Sequence, residues 1–293
     1  IASSHLNVRI RLFGSKEGIL RVSRNRNLEE LAVTIVESPE VISMDDPPTL
    51  SIRERRDSSI YRLCQALKEG EVQAMVGAGN TGAMVAGSVM ILGKLKGIRR
   101  PGLLGILPGL KGPLGIIDVG ACVDSRPLDL MSFALMGDLF WKSYRGNPNP
   151  RIGLLNIGEE KNKGSRVAKE VYSLLERAKL NFVGNVEGNE ILLNKADVII
   201  TDGFVGNIVL KALEGMGEII SLREGGIGGD LLFDGPLSWE EYGGAVLLGV
   251  DGVVVICHGR STSKAIFRAI SFAKELVEKA LIDSLKDGLR ISK

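Results

Sequence analysis

Three cysteines among 293 residues leave little scope for cross-links. Cys64, Cys122 and Cys257 lie far apart, show no C-x-x-C spacing and sit beside apolar neighbours. That argues against a disulfide framework or a zinc site and predicts reduced thiols in or near the core. Aromatic residues make up only 5% of the chain, too few for an aromatic-rich β sandwich. No apolar run reaches the ~18 to 20 uninterrupted residues of a membrane span. The amino terminus also lacks the ordered regions of a signal peptide, so a soluble, cytoplasmic protein is expected. Ile rather than Met at position 1 predicts that a leading segment is absent. Charge of one sign is scarce as well: 37 basic and 35 acidic residues leave a net charge of +2. Bulk electrostatics therefore give no reason to expect nucleic-acid binding, and an acidic partner must meet a local patch. There is no Ser-His-Asp order, nucleophile elbow or metal motif, which leaves a covalent enzyme intermediate with little support.

Glycine is abundant instead, at 37 residues, in a chain that is 44% hydrophobic and long enough to bury a substantial core. Short runs rich in Val, Ile and Leu at 6–13, 72–77, 103–107, 114–118, 151–156, 180–184, 196–201 and 252–257 read as buried strands. Helical spacing occupies roughly 57–69, 81–95, 127–144, 163–178, 205–220 and 261–287, several stretches opening near Ser, Thr, Asp or Asn. The alternation predicts an α/β fold, a mainly parallel sheet covered by helices on both faces, in one domain over 1–293. Residues 223–236 break the pattern and read as a loop or junction within an irregular segment at about 219–242.

Six strand ends join glycine to polar groups: 77–82 (G-A-G-N-T-G), 118–121, 156–160, 184–188, 202–207 and 258–261. Ligands of open parallel sheets bind outside the carboxyl ends of strands, so these loops are expected to converge on one pocket. G-A-G-N-T-G matches the dinucleotide fingerprint, but no acidic residue follows about 20 positions later to hold a ribose; Arg99 and Arg100 keep an NADP version open. A glycine-rich turn entering a helix more generally offers backbone N–H groups to an anion. Gly77, Gly79, Asn80, Thr81 and Gly82 are thus candidates for phosphate, with an N-cap role open for Asn80 or Thr81. Asp118 and Asp202 end strands and either cap turns or face a ligand, and Asn156 is a further candidate. Asn207 and Lys211 share a helix face and His258 follows the last strand; these three are the candidates for orienting a reacting oxygen. Glu159, Glu160, Lys161 and Lys163 read equally as a solvated charged turn.

In order, R-E-R-R-D-S-S-I, G-A-G-N-T-G-A-M, G-I-R-R-P, D-V-G-A, P-R-I-G-L-L-N-I-G-E-E, N-F-V-G-N-V-E-G, A-D-V-I-I-T-D-G-F-V-G-N-I-V-L-K-A-L-E-G, Y-G-G-A-V-L-L-G-V and H-G-R-S closely resemble the PlsX-type phosphate acyltransferases, from about residue 30 to about 280. The resemblance implies a Rossmann-like fold similar to phosphotransacetylases and the isocitrate dehydrogenase group. It further implies acyl transfer from acyl carrier protein to inorganic phosphate in a cytoplasmic homodimer, with no metal or organic cofactor. The product would feed a membrane-bound glycerol-phosphate acyltransferase, and the enzyme would associate peripherally with membrane. Two departures stand out: the family's first strand and D-x-M-G-G-D loop have no counterpart before His5, and its longer basic helical hairpin is replaced by a short, glycine-rich 219–242. A carrier protein, typically acidic, is expected to dock on Lys94, Lys96, Arg99 and Arg100. The apolar residues of 205–220 are expected to serve a dimer or membrane contact. The competing readings are an acyltransferase using coenzyme A, an NADP oxidoreductase and a non-catalytic scaffold for lipid enzymes.

Overall fold

Short buried apolar runs become strands here because each must hide both faces, and the longer amphipathic stretches become the helices that hide them. The computed structural model describes residues 2–23, 27–28, 30–223 and 242–291. The strands are β1 (Ile10–Gly14), β2 (Val33–Glu37), β3 (Ala74–Gly77), β4 (Gly102–Leu107), β5 (Leu114–Ile117), β6 (Arg151–Leu155), β7 (Asn181–Val186), β8 (Val198–Ile200), β9 (Ala245–Leu248) and β10 (Val253–Ile256). The helices are α1 (Ala2–Leu6), α2 (Lys16–Ser23), α3 (Pro48–Glu54), α4 (Ser59–Lys68), α5 (Thr81–Gly87), α6 (Pro127–Arg145), α7 (Arg166–Arg177), α8 (Gly203–Arg223), α9 (Ser263–Glu278) and α10 (Leu281–Ile291).

β1 and β2 form a separate parallel pair, and the other strands form one sheet in the order β3-β10-β9-β4-β5-β8-β6-β7. The α/β expectation holds, but the sheet is more mixed than the alternation implied. Its four parallel pairings, β3 with β10, β5 with β8, β8 with β6 and β6 with β7, stand beside three antiparallel ones that flank β9 and β4. β3, β10 and β4 consequently run one way and the remaining strands the other.

One face of the sheet is covered by α6, α7, α9 and α10, around Phe133, Phe140, Leu175, Leu276 and Leu285. Burying each such large side chain contributes about 1.5–3 kcal/mol. The other face carries Ile52, Ile60, Met84, Leu114 and Ile199, with Val209, Leu210 and Leu213 of α8 packed against them. Side chains of Ser58, Ser165 and Thr262 cap α4, α7 and α9 by accepting N–H groups three residues on. The stretch expected as one helix at 261–287 divides at Lys279 and Ala280, where Ala280 takes φ 48°. The irregular segment at 219–242 and the replaced hairpin lie largely outside the described residues.

Candidate active site

The site is assembled from two directions. At one sheet edge β5 ends in Asp118, whose fully buried carboxylate accepts backbone N–H groups from Leu103 (2.9 Å), Gly120 (3.0 Å), Ala121 (2.9 Å) and Cys122 (2.6 Å). Burial pushes this carboxyl above its ordinary range, and the four donors oppose the shift. Asp118 therefore ties the 118–122 turn to β4.

D-G-F-V-G-N presses the start of α8 onto that turn. A Cβ on Gly203 would stand 2.7 Å from Asp118 Oδ2, and one on Gly206 would stand 1.9 Å from the Asp118 carbonyl oxygen. Glycine is required at both places. Asp202 Oδ1 accepts from the N–H groups of Phe204 (3.0 Å) and Val205 (2.9 Å), so the carboxylate caps α8. Asn207 Nδ2 donates to the Val119 carbonyl at 3.2 Å. From this anchor α8 crosses the sheet face, and Asn207, Leu210, Lys211 and Glu214, spaced by three and four, line the same cavity.

The opposite edge carries the ends of β3 and β10. Asn80 caps α5 by accepting the Ala83 N–H at 2.9 Å, and its amide donates to the carbonyls of Ser43 (2.9 Å), Met44 (3.2 Å) and Asp46 (3.3 Å). Its side chain is thus committed to holding 43–46, not presented to a ligand. Glycines of this turn serve packing: a Cβ at Gly77 would meet Met84 at 2.6 Å, and one at Gly82 would meet Pro48 at 2.6 Å. Gly79 is not among the left-handed glycines, so the turn makes no such demand there. With 43–48 over the turn, G-A-G-N-T-G lacks the bare backbone that a pyrophosphate would approach, which weakens the dinucleotide reading.

Between these edges lies a cavity of about 240 Å³ under α8. It gathers Thr81, Asn207, Lys211 and His258, together with Glu214 and an apolar wall that includes Leu103, Val119, Leu210 and Ile256. His258 Nδ1 accepts the Arg260 N–H at 3.1 Å, which leaves the proton of a neutral imidazole on Nε2. Gly77, Gly79, Asn80, Gly82, Asp118, Asn156 and Asp202 do not line it. Strand direction is the reason: loops after β5, β6, β7 and β8 leave the edge opposite those after β3 and β10, so the six do not converge. α8 alone carries Asn207 and Lys211 back across. Asn156 lies beyond β8, where its side chain accepts the Ile157 N–H (2.9 Å) and donates to the Lys163 carbonyl (3.2 Å).

Other charged candidates have structural partners. Lys195 pairs with Glu190 (2.8 Å) and Glu159, Lys161 with Glu176, and Lys163 with Glu160. Arg99 is bound through Nε to the buried Asp129 at 2.8 Å, and Lys94 donates to the Arg99 carbonyl at 2.8 Å. This basic segment lies by the β9–β10 turn, at the edge away from Thr81 and His258. All three cysteines are buried. Cys257 lines the cavity, and burial raises its thiol to about 12. Sequence reasoning missed Glu214, although it lies one helical turn beyond Lys211 on the same face, and missed Met44 and Gly105, which only the chain's folding brings here.

Solved structures of like architecture define the class. A branched-chain phosphotransacylase from Enterococcus faecalis V583 superposes with a TM-score of 0.60 at 15% identity, covering 92% of this chain and 99% of that one. The EutD phosphotransacetylase from Staphylococcus aureus gives 0.53 at 15% identity, over 92% and 94%. A 4-hydroxythreonine-4-phosphate dehydrogenase from Klebsiella pneumoniae gives 0.55 at 14%, over 91% and 90%. At such identities the likeness fixes the fold: this is an α/β chain of phosphotransacetylase-like architecture.

The sequence itself is more specific. Residues 1–222 and 235–284 match the family described as fatty acid synthesis protein. The phosphate acyltransferase of Desulforamulus reducens is 40% identical over all of this chain and 92% of its own length. That of Desulfitobacterium hafniense strain DCB-2 is 44% identical over 88% and 82%. The chain belongs to this family of phosphate acyltransferases and is an acyltransferase.

Proposed function

We propose that the chain transfers a fatty acyl group from an acyl carrier protein thioester to inorganic phosphate, releasing acyl phosphate and free carrier thiol. The observation that carries this reading is the cavity under α8, where a cation, a hydroxyl and an imidazole meet an apolar wall. An acyl thioester beside a phosphate asks for that combination.

In this reading Lys211 and Thr81 hold phosphate, and Asn207 or the His258 Nε2–H faces the oxygen that becomes negative. A phosphate oxygen bonds to the thioester carbon, the tetrahedral oxyanion collapses, and the carbon–sulfur bond breaks. The departing thiolate then takes a proton from water. Phosphate is already largely dianionic and a thiolate leaves readily, so positioning is the larger task and supplies up to ~7–11 kcal/mol. Each donor aimed at the oxyanion adds about 3–4 kcal/mol. Cys257 is a poor covalent alternative, since a thiol held at about 12 carries little thiolate at neutral pH.

The reading extends to a cytoplasmic homodimer that meets the membrane peripherally and supplies a membrane-bound glycerol-phosphate acyltransferase. Support for a contact comes from α8, whose Phe204, Ile208, Met216 and Ile219 are exposed while Leu210 and Leu213 pack on the core. Among the described residues no helix is long and apolar enough to cross a membrane.

The test supplies either the carrier-protein thioester or the matching coenzyme A ester, with and without phosphate, and measures released thiol. Phosphate-dependent release that favours the carrier protein is expected. Preference for coenzyme A would change the donor, and release that ignores phosphate would overturn the reading.

A further inference from the structure

Glycine inside a buried strand is a cost, since it loses more conformational freedom on folding than any other residue and contributes no side chain to the core. Most strand glycines here are needed. A Cβ on Gly102 would meet the Phe133 ring at 2.9 Å, one on Gly115 would meet Trp141 at 3.0 Å, and one on Gly153 would meet Val186 at 2.4 Å.

Gly105, in the middle of β4, is different. Its backbone is not left-handed. A Cβ there would touch Val119 methyls at 3.6 Å and an Ile116 methyl at 3.8 Å, both ordinary contacts. Neither conformation nor packing of the protein calls for glycine at this position.

The cavity does. Strand alternation puts Gly105 on the same face as Leu103 and Leu107, the face against which α8 packs. Gly105 lines the cavity with Ala245 of β9 and Ile256 of β10, opposite Leu210 of α8. Two small residues on adjacent central strands keep a hollow open between the sheet and the helix, within the same cavity that Lys211 and His258 line.

We propose that Gly105 is a specificity-determining residue: the hollow above it receives the methylenes of a straight acyl chain, and the side chain at 105 sets how long a chain the enzyme accepts. This inference rests on the acyl-transfer reading. It identifies the chain's path inside the site, and a residue that touches the chain without taking part in the chemistry.

Gly105→Ala and Gly105→Val would be compared with the wild type on butyryl, octanoyl and palmitoyl donors. Gly105→Val should lower kcat/KM about tenfold (about 1.4 kcal/mol) for palmitoyl and leave butyryl within about twofold, with Gly105→Ala between. The KM for phosphate and the melting temperature should hold. A loss equal for all three donors, or one that tracks a fall in melting temperature, would overturn the inference.

Binding of the fluorescent fatty acid cis-parinaric acid separates this inference from the acyl-transfer reading. Weaker binding to Gly105→Val, with no turnover in the wild type, would keep the hollow as an acyl site and remove the proposed reaction. Equal binding to both would remove the hollow.

Discussion

Replacing Gly206 by alanine should unseat the cavity's roof. The added methyl would stand 1.9 Å from the Asp118 carbonyl oxygen, so the first turn of α8 must withdraw by roughly 1.1 Å to reach even 3.0 Å. Overpacking of this kind costs about 1–3 kcal/mol, which for a chain of this size lowers the melting temperature by roughly 2–10 °C. Asn207 and Lys211 ride on the displaced turn, and a misplacement of about 1 Å can cost on the order of 100-fold in rate. Thermal unfolding and acyl phosphate trapped as hydroxamate are the two assays. Gly215→Ala in the same helix is the control, because a Cβ there meets nothing within 4 Å; it should stabilise by up to about 1 kcal/mol and leave turnover intact. A Gly206→Ala enzyme with wild-type melting and wild-type rate would refute the clamp between Asp118 and α8.

Asn80→Ala should destabilise the fold by about 1–3 kcal/mol through the loss of its contacts to 43–46 and its cap, whereas Thr81→Ala should leave melting unchanged and raise the phosphate KM; the opposite pattern would return Asn80 to the phosphate. Asp46 is held down to about 2 by the Arg55 guanidinium against an ordinary 3.8. Its depressed pKa contributes stability that is whole above about pH 4 and is lost as pH falls through about 2, so Asp46→Asn should flatten the acid limb of a stability profile in that window. An unchanged limb would show that the pair contributes nothing. Lys94→Glu with Lys96→Glu should leave the KM for the acyl donor nearly unchanged, because this segment lies at the edge away from Thr81 and His258. A large, salt-sensitive rise would place carrier docking there after all.

Much of this architecture is written locally. β4, β5, β6, β8 and β10 follow apolar runs, α4 and α7 follow helical spacing with serine caps that can be read directly, and α6 follows it from a proline in its first turn. β9 does not stand out from its glycine-rich surroundings, and β2, partly or fully exposed along its whole length, carries too weak a pattern. The pocket was harder. Each loop reads the same whichever way its strand runs, and three antiparallel pairings around β9 and β4 set the four loops after β5, β6, β7 and β8 at the edge opposite the two after β3 and β10. Asn80 and Asp118 look like ligand residues in sequence because they are polar at strand ends, yet the Asn80 oxygen caps α5 at Ala83, its amide donates to carbonyls 34 to 37 residues away, and Asp118 accepts from backbone 2 to 15 residues away. The close approach of Gly206 to Asp118 depends on two segments far apart in sequence.

The central claim is that phosphate accepts the acyl group beside Lys211. Hydroxamate formed after hydroxylamine trapping, measured against phosphate concentration for the wild type and for Lys211→Met, tests it directly. The account predicts saturable acyl phosphate formation in the wild type. For Lys211→Met it predicts a phosphate KM raised by about one to two decades, the loss of one charged hydrogen bond of about 1.5–3 kcal/mol, with the acyl-donor KM unchanged. A wild type that forms no hydroxamate, or two enzymes with the same phosphate dependence, would contradict it.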